Sequence, residues 1–271
     1  MLKVGEIQKL KVLSVDGNTI KLEHGIELEG TEVNTGDELE VFVYNDGDEI
    51  EGTLKKPYIT KGKFETLTVT EINMIGAFCD MGIEKDLFIP YRNQTKDMIP
   101  NRKYVVHMYL DELTNRLVGT AKLKPFLQAT ADEDIKFGQK VDLLIYSETQ
   151  LGYMAVINQK YDGLIYESET HGRILRHGEA LKGYIKPIRE DGKIDISLLP
   201  IGHKSIEPNA EKIWSILKST PDGFLPYNDK SDATAIRKEF GISKKLFKKA
   251  IGGLYKNRQI TIEKDGIRLV N

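Results

Sequence analysis

The chain contains 271 residues, 39 of them Lys or Arg and 41 of them Asp or Glu, which gives a net charge of -2. This length allows more than one hydrophobic core, since domains usually contain roughly 100–200 residues. The composition, 40% hydrophobic and 30% charged, excludes an intrinsically disordered chain, and no run is long and apolar enough to span a membrane. The balanced charge excludes a protein held to nucleic acid by its overall charge alone.

The single cysteine, Cys79, excludes intramolecular disulfides and zinc sites built from several thiolates. It lies in the apolar stretch Ala77-Phe78-Cys79, where a small buried hydrophobic residue is expected. The first residues enter an alternating strand pattern and include no apolar segment typical of a secretory signal. We therefore expect a cytoplasmic protein that does not contact a membrane.

The charge is distributed unevenly along the chain. Residues 1–62 carry a net charge of -6, residues 63–128 +1, residues 129–204 -2 and residues 205–271 +5. This asymmetry predicts an interaction surface near the C-terminal end. The acidic first segment should repel a polyanion, so we expect it to be a spacer or a protein contact.

Three segments of the chain repeat one strand pattern. Residues 52–58 (GTLKKPY) and 119–126 (GTAKLKPF) close two of them, 67 positions apart. In each of the three, alternating apolar and polar residues lead into a turn that contains Asn, Asp or Gly, at residues 36–47, 103–115 and 178–192. Period-two alternation bounded by such turns predicts β-hairpins.

We therefore predict three β modules, at residues 1–62, 63–128 and 129–202, with about five short strands in each. Five short strands leave open edges unless the sheet curls into a barrel. The OB-fold fits this requirement best. The fold class predicted for these modules is three tandem OB-fold barrels.

The last segment, residues 205–271, has helical periodicity and follows a linker at residues 200–208. Apolar residues predict an amphipathic helix over residues 209–218, and residues 221–226 form a break. Ser231 or Asp232 is expected to cap a second helix that ends at Gly241, and Ser243 to cap a third. Two short strands, at residues 260–262 and 267–270, complete the order of a winged helix-turn-helix domain.

No motif for catalysis is found in the sequence. It contains no GxxxxGK[ST] loop, no HExxH and no GxSxG, and its five histidines lack the spacing of a metal site. We expect a protein that is not an enzyme and that has no metal, catalytic residues or cofactor.

The second and third modules carry the strongest functional signal. Module two contains residues 75–82 (IGAFCDMG) followed by 85–92 (KDLFIPYR), and module three contains residues 151–157 (LGYMAVI) followed by 162–169 (DGLIYESE). Both resemble the ribosomal protein S1-type RNA-binding domain, an OB-fold with a Phe-Gly-Ala-Phe-like and a Gly-Leu-Val-His-like signature. Module one lacks the aromatic strands.

The resemblance implies a set of nucleic-acid-binding residues. Phe78 matches the second Phe of the first signature, Phe88 and Tyr166 are placed at the His of the second, and Tyr153 supplies a ring beside Met154. Exposed rings stack on the bases of single strands, and basic side chains neutralise phosphates. We predict that the two modules bind through Phe78, Phe88, Tyr91, Arg92, Tyr153, Tyr166, Arg189 and Lys193, with Lys122 and Lys124 as basic neighbours.

The third helix of the tail is basic. Between Phe240 and Ile260 there is no acidic residue. At 100° per residue its lysines lie opposite the apolar face of Leu246, Phe247, Ala250 and Leu254, which is the position of a recognition helix. We predict nonspecific phosphate binding by Lys244, Lys245, Lys248, Lys249, Lys256 and Arg258.

The order of three S1-like barrels and a winged helix, with the tail sequence FGISKKLFKKAIGGLYK at residues 240–256, is similar to the bacterial conserved virulence factor B family. The resemblance implies a non-enzymatic RNA-binding protein that influences gene expression after transcription. Single-stranded RNA is the expected partner. Two alternatives stay open: a transcription regulator that binds DNA through the winged helix, and a scaffold that binds proteins of unknown identity and no nucleic acid.

Overall fold

The structure is a computed structural model that describes residues 2–30, 32–47, 49–170, 172–200, 208–257 and 259–270. The chain divides into two compact units, residues 1–198 and residues 199–271. No helix in these ranges has the length and apolar character needed to cross a bilayer.

The first barrel consists of β1 (Ile7–Asp16), β2 (Thr19–Leu22), β3 (Glu27–Glu29), β4 (Glu38–Asp46) and β5 (Glu49–Thr53). Its sheet has the order β3-β2-β1-β4-β5. Inward-facing residues alternate with exposed ones along β1 and β2, and Leu10, Val12, Ile20 and Leu22 form part of its core.

The second barrel repeats this order with β6 (Phe64–Ile72), β7 (Gly76–Asp80), β8 (Leu87–Pro90), β9 (Lys103–Asp111) and β10 (Arg116–Thr120). The sheet runs β10-β9-β6-β7-β8, and its two outer strands lie next to each other. Cys79 is fully buried in this core, and burial raises the pKa of its thiol to about 12. The thiol is therefore a packed hydrophobic group, as the sequence predicts.

The third barrel is closed. It contains β11 (Lys140–Thr149), β12 (Gly152–Ile157), β13 (Tyr161–Tyr166), β14 (Ala180–Ile185) and β15 (Ile194–Ser197), in the order β11-β12-β13-β15-β14. β13 and β15 pair in parallel and every other pair is antiparallel. This is the strand order of the OB-fold, and it confirms the predicted fold class.

A β-bulge in the first strand of each barrel gives the three sheets a common register. The bulges lie between Val12 and Ser14, between Val69 and Glu71, and between Ile145 and Ser147. A bulge bends a long strand and increases its twist, which lets it take part in both halves of a small barrel. Residues that follow the bulges can therefore be compared from one barrel to the next by register.

The barrels of the first unit share apolar interfaces. Phe42 and Tyr44 of β4 lie in the same core cluster as the interior of the second barrel. Phe64 and Leu144 belong to a cluster that joins the second barrel to the third. There the side-chain amide of Gln159 accepts a hydrogen bond from Phe64 N (2.7 Å) and donates one to Phe64 O (3.0 Å). These contacts fix the second barrel against both neighbours.

The second unit contains α1 (Pro208–Ser219), β16 (Phe224–Leu225), α2 (Ala233–Phe240), α3 (Lys244–Lys256), β17 (Ile260–Ile262) and β18 (Ile267–Leu269). Asp232 caps α2 by accepting from two backbone amides, and Gly241 follows that helix with φ 68°. Ser243 caps α3. The winged-helix prediction is confirmed, with one addition: the break at residues 221–226 contains β16, which pairs with β18 and makes the sheet three-stranded.

An imidazole is buried between aromatic rings near the junction of the second and third barrels. His107 is 5% exposed, with its ring centroid 4.4 Å from that of Phe64 and 4.3 Å from that of Phe126. Burial lowers its pKa to about 4, although a hydrogen bond with the Lys63 backbone opposes the shift. The native state therefore holds this ring neutral.

We predict that acid destabilises the protein through His107. The unfolded histidine takes up a proton near pH 6.5 and the folded one only near pH 4. The free energy of unfolding should therefore decrease as the pH is lowered through this window, by at most about 1.4 kcal/mol per pH unit. Urea unfolding of the His107→Gln variant should show a smaller loss between about pH 7 and about pH 5. The exposed His24, changed to Asn, is the control; equal pH dependence in both variants would contradict the prediction.

Candidate nucleic-acid interface

Two phenylalanine rings lie side by side on the outer face of the second barrel. Phe78 of β7 and Phe88 of β8 are directly opposite in the antiparallel register. Their ring centroids are 5.2 Å apart and the planes make an angle of 35°. Both side chains are only half-buried, while their neighbours Ala77, Cys79 and Ile89 fill the core. The pair is a preformed apolar surface.

The ring pair forms part of a cleft of about 600 Å³. Ile75, which is 61% exposed, lies at one side of the rings. The end of β4 in the first barrel, with the turn residue that follows it (residues 44–47), also lines the cleft, as does the β9–β10 turn. Sequence analysis did not place the first barrel at this site, because no local pattern shows which loop a neighbouring barrel contributes.

Charged groups around the rings are paired with one another. Lys85 Nζ donates to Asn45 O (2.5 Å) and Asp46 Oδ1 (2.6 Å), which ties the wall from the first barrel to the second. Arg92 Nη2 lies 3.2 Å from Asp111 Oδ2, and the guanidinium is 69% exposed. The pKa of Asp46 is lowered by its bond with Lys85, and that of Asp111 by hydrogen bonds in the β9–β10 turn and by Arg92. The cleft therefore combines an apolar ring surface with ion pairs at Lys85 and Arg92.

The common register shows that this ring pair occurs in the second barrel and has no counterpart in the other two. At the position of Phe78 and Phe88 the first barrel has Lys21 opposite Glu27, joined by a 3.9 Å ion pair. The third barrel has Met154 opposite Leu164 at that position. The absence of aromatic strands in module one agrees with the sequence analysis.

The alignment of Phe88 with Tyr166 is wrong. Tyr166 pairs with Gly152, and the residue that pairs with the equivalent Gly76 is Pro90. Phe88 therefore lies two residues earlier than the His position of the signature, and its counterpart is Leu164. The error arises because module two carries rings and apolar residues at several neighbouring positions, whereas strand register fixes which of them are equivalent.

The prediction that Tyr153 presents a ring for stacking is also wrong. Its side chain is 9% exposed and packs in the core of the third barrel. Successive side chains of a strand lie on opposite faces. Met154 is partly exposed, so its neighbour Tyr153 faces the core. Ala77 occupies the equivalent inward position in the second barrel.

Tyr166 and the two basic residues predicted beside it form a cluster in the third barrel. Arg189 makes two hydrogen bonds with Asp195 (2.8 and 2.6 Å) and one with the hydroxyl of Tyr166. Lys193 pairs with Asp191 at 2.8 Å. The exposed Lys193 pair is weak and exchangeable, whereas the bidentate, partly buried Arg189 contact commits that guanidinium to the fold. Phosphate binding by Arg189 stays a prediction, since its Nε and Nη2 donors are occupied by Asp195 and Tyr166.

Tyr91 follows β8 directly and lies at the edge of the face that carries the rings. It is 45% exposed and its hydroxyl donates to Asn73 O at 2.7 Å. This bond holds the aromatic ring next to the exposed loop that leads into β7. Tyr91 and Arg92 are thus both accessible, as an interface residue must be.

The predicted lysine stripe of α3 is only partly available. Lys244 Nζ donates to Lys230 O (3.3 Å), Lys248 lies 3.9 Å from Asp229, and Lys249 also has a partner. Lys245 and Lys256 are exposed, and their ammonium groups make no hydrogen bond or ion pair with the rest of the described chain. Leu246 is 40% exposed and so lies at the margin of the apolar face. Arg258 lies outside the described residues.

Three five-stranded barrels with a half-exposed ring pair, followed by a winged helix, define a multidomain OB-fold protein. Residues 211–269 match the family model described as CvfB-like winged helix domain. The chain is 30% identical to conserved virulence factor B of Staphylococcus saprophyticus, over 98% of this chain and 94% of that protein, and 29% identical to that of Staphylococcus aureus with the same coverage. The chain belongs to the conserved virulence factor B family.

A comparison of folds gives a related result. The chain is similar to a crystal structure from Streptococcus pneumoniae that is described as a multidomain protein with nucleic acid binding domains. The sequence identity is 22%, the TM-score is 0.44, and 98% of each chain is covered.

We predict that the two adjacent positions in β12 differ sharply in their effect on stability. Tyr153→Ala should lower the free energy of unfolding by about 3 kcal/mol, because it leaves a cavity in the core. Met154→Ala should cost less than about 1 kcal/mol, since its side chain is partly exposed. Urea unfolding measures both. Equal costs would show that Tyr153 does not face the core.

Proposed function

We propose that the protein binds single-stranded RNA through the cleft of the second barrel and acts on gene expression after transcription, in the cytoplasm and without catalysing a reaction. The observation that carries this proposal is the Phe78–Phe88 pair, half-exposed and opposite in register. Each base stacked on such a ring contributes roughly 1–3 kcal/mol without requiring a particular base.

The shape of the cleft favours a single strand over a duplex. A base must leave its own stack to reach rings that share a cleft with Ile75 and with residues 44–47 of the first barrel. Unstacking costs a few kcal/mol in a duplex and least in a strand that is already single. The paired charges around the rings add little attraction for phosphates, so stacking supplies the affinity.

Helix α3 supplies a second contact in this proposal. Lys245 and Lys256 present ammonium groups that bind phosphates as point charges and read no base edges. A winged helix with exposed lysines on its third helix also favours a second candidate, binding of duplex DNA.

A titration distinguishes these functions. Fluorescently labelled single-stranded RNA, single-stranded DNA and duplex DNA of equal length should be titrated with the full chain at two salt concentrations. We expect RNA to bind most tightly. A preference for the duplex that is lost in a Lys245/Lys256→Ser variant would support the DNA-binding candidate, and absence of binding to all three at low salt would support a protein-binding scaffold.

We predict that the rings contribute affinity without changing its salt dependence. Phe78→Leu and Phe88→Leu keep an apolar side chain but remove the stacking surface, so each should weaken RNA binding about tenfold, which corresponds to about 1.4 kcal/mol. The slope of log K against log salt should stay the same, because no phosphate contact is lost.

The matched control for the rings is Phe137→Leu, since that phenylalanine is 58% exposed and lies outside the cleft. It should bind RNA like the unaltered protein. Circular dichroism would confirm that all three variants fold. An affinity loss in the control as large as in the ring variants would contradict the assignment of the cleft.

We predict the opposite behaviour for α3. Lys245/Lys256→Ser should reduce the salt slope of RNA binding by about 0.7 for each phosphate contact removed. A variant of the same charge, Lys238/Lys264→Ser, changes exposed lysines of the same unit outside α3 and should reduce the slope less. Equal slopes in the two variants would show that α3 makes no specific phosphate contact.

A further inference from the structure

A second cleft, of about 350 Å³, lies at the junction of the second and third barrels. The second barrel contributes residues of its connecting loops and β9, and the third contributes residues of β11 and of the loop before β14. The residues that define its chemistry are Lys96, Lys122, Lys124, Tyr104, Ser147 and His177.

The three lysines of this cleft are exposed and form no ion pair with any described residue. No carboxylate in the described part of the chain lies within 4 Å of their ammonium groups, whereas Lys160, Lys182 and Lys186 of the third barrel each pair with one. Their field is still felt by neighbouring groups: Lys96 contributes to the lowered pKa of His177, after burial. Burial raises the pKa of Asp162, and Lys124 opposes that shift together with the hydrogen bond that Asp162 accepts from Tyr146. Three like charges facing one cleft repel each other unless an anion binds there.

Hydrogen bonds hold the walls of the cleft in place. Val105 N donates to His177 Nε2 at 3.1 Å, which links β9 to the third barrel. Ile99 N donates to the hydroxyl of Tyr104 at 3.1 Å and fastens the loop that carries Lys96. Lys122 N donates to Thr120 Oγ1 at 3.0 Å. The ammonium groups therefore project from fixed backbone segments, as a binding site requires.

One short segment connects this cleft to the ring pair. Arg92 lines the cleft of the rings and Lys96 lines the junction cleft. Only three residues lie between them, so their Cα atoms are at most about 14 Å apart. Asn93, between them, bonds to Gly119 O and accepts from Ala121 N, which positions the strand end that leads to Lys122. A strand stacked on the rings can thus pass its backbone to the lysines.

We infer that the junction cleft is a phosphate-binding site, and that its phosphates belong to the RNA strand that stacks on the rings of the second barrel. The inference deepens the proposed function and rests on it for the source of the phosphate. Three ammonium groups provide donors and charge for phosphate oxygens, and none of them reads a base. A free nucleotide offers the same chemistry, and the experiment separates the two sources.

The test compares two triple variants of the full chain. Lys96/Lys122/Lys124→Ser removes the charges of the cleft. Lys63/Lys136/Lys140→Ser removes three exposed lysines of the same two barrels that also lack an ion pair and lie outside both clefts. Fluorescence anisotropy with a labelled oligouridine gives affinity at several salt concentrations, and calorimetry with uridine diphosphate gives binding of a free nucleotide.

We expect the cleft variant to reduce the salt slope of RNA binding by about 2, which is three contacts of about 0.7 each, and the control to reduce it by less than one contact. Uridine diphosphate binding that is lost in the cleft variant alone, with unchanged RNA binding, would keep the phosphate site and assign it to free nucleotides. Equal behaviour of the two triple variants towards both probes would overturn the inference. Failure of the proposed function looks different: Phe78→Leu and Phe88→Leu would then leave RNA binding unchanged while the cleft variant still lowers it.

Discussion

The interface depends on a residue without a side chain at the start of β7. A Cβ on Gly76 would lie 2.4 Å from Ile89 O, and one on Gly152 would lie 2.1 Å from Ile165 O in the third barrel. Because these backbones approach so closely, only glycine fits at the start of the second strand in these two barrels, and the observed register of their second and third strands depends on it. In the second barrel that register puts Phe78 opposite Phe88. A slip of β8 by one residue would turn Phe88 into the core and expose Ile89.

The three barrels carry different residues at the position of Phe78 and Phe88. The register position that holds two rings in the second barrel holds the ion pair of Lys21 and Glu27 in the first and two aliphatic side chains in the third. The backbone is thus a shared scaffold, and binding chemistry is set by a few outward residues. The second barrel has the rings, the exposed Arg92 and a boundary with each neighbour, so both clefts lie on it.

The fold could be predicted from the sequence because its signals are local: alternation, turn residues, and caps such as Asp232 and Ser243. The winged helix could be predicted from the same local signals, except for the two-residue strand at Phe224, which is too short to show a periodic pattern. The site was predicted in part. Phe78 and Phe88 were found through the resemblance to the S1-type domain and are partly exposed. Tyr153 was misplaced by one residue, and two donors of Arg189 are committed to Asp195. Ion pairs and contacts between barrels join residues that are distant in sequence, so the sequence alone does not show them.

The wall that the first barrel gives to the ring cleft has a consequence for what this barrel does. The first barrel is acidic and has no rings at the positions equivalent to Phe78 and Phe88. Even so, its Phe42 and Tyr44 pack in the core of the second barrel. Its Asn45 and Asp46 accept hydrogen bonds from Lys85. The first two barrels therefore share one apolar core, and both line the ring cleft. A barrel without rings at this register thus completes the core and the cleft of its neighbour, so an isolated second barrel would have both an exposed core and an open cleft.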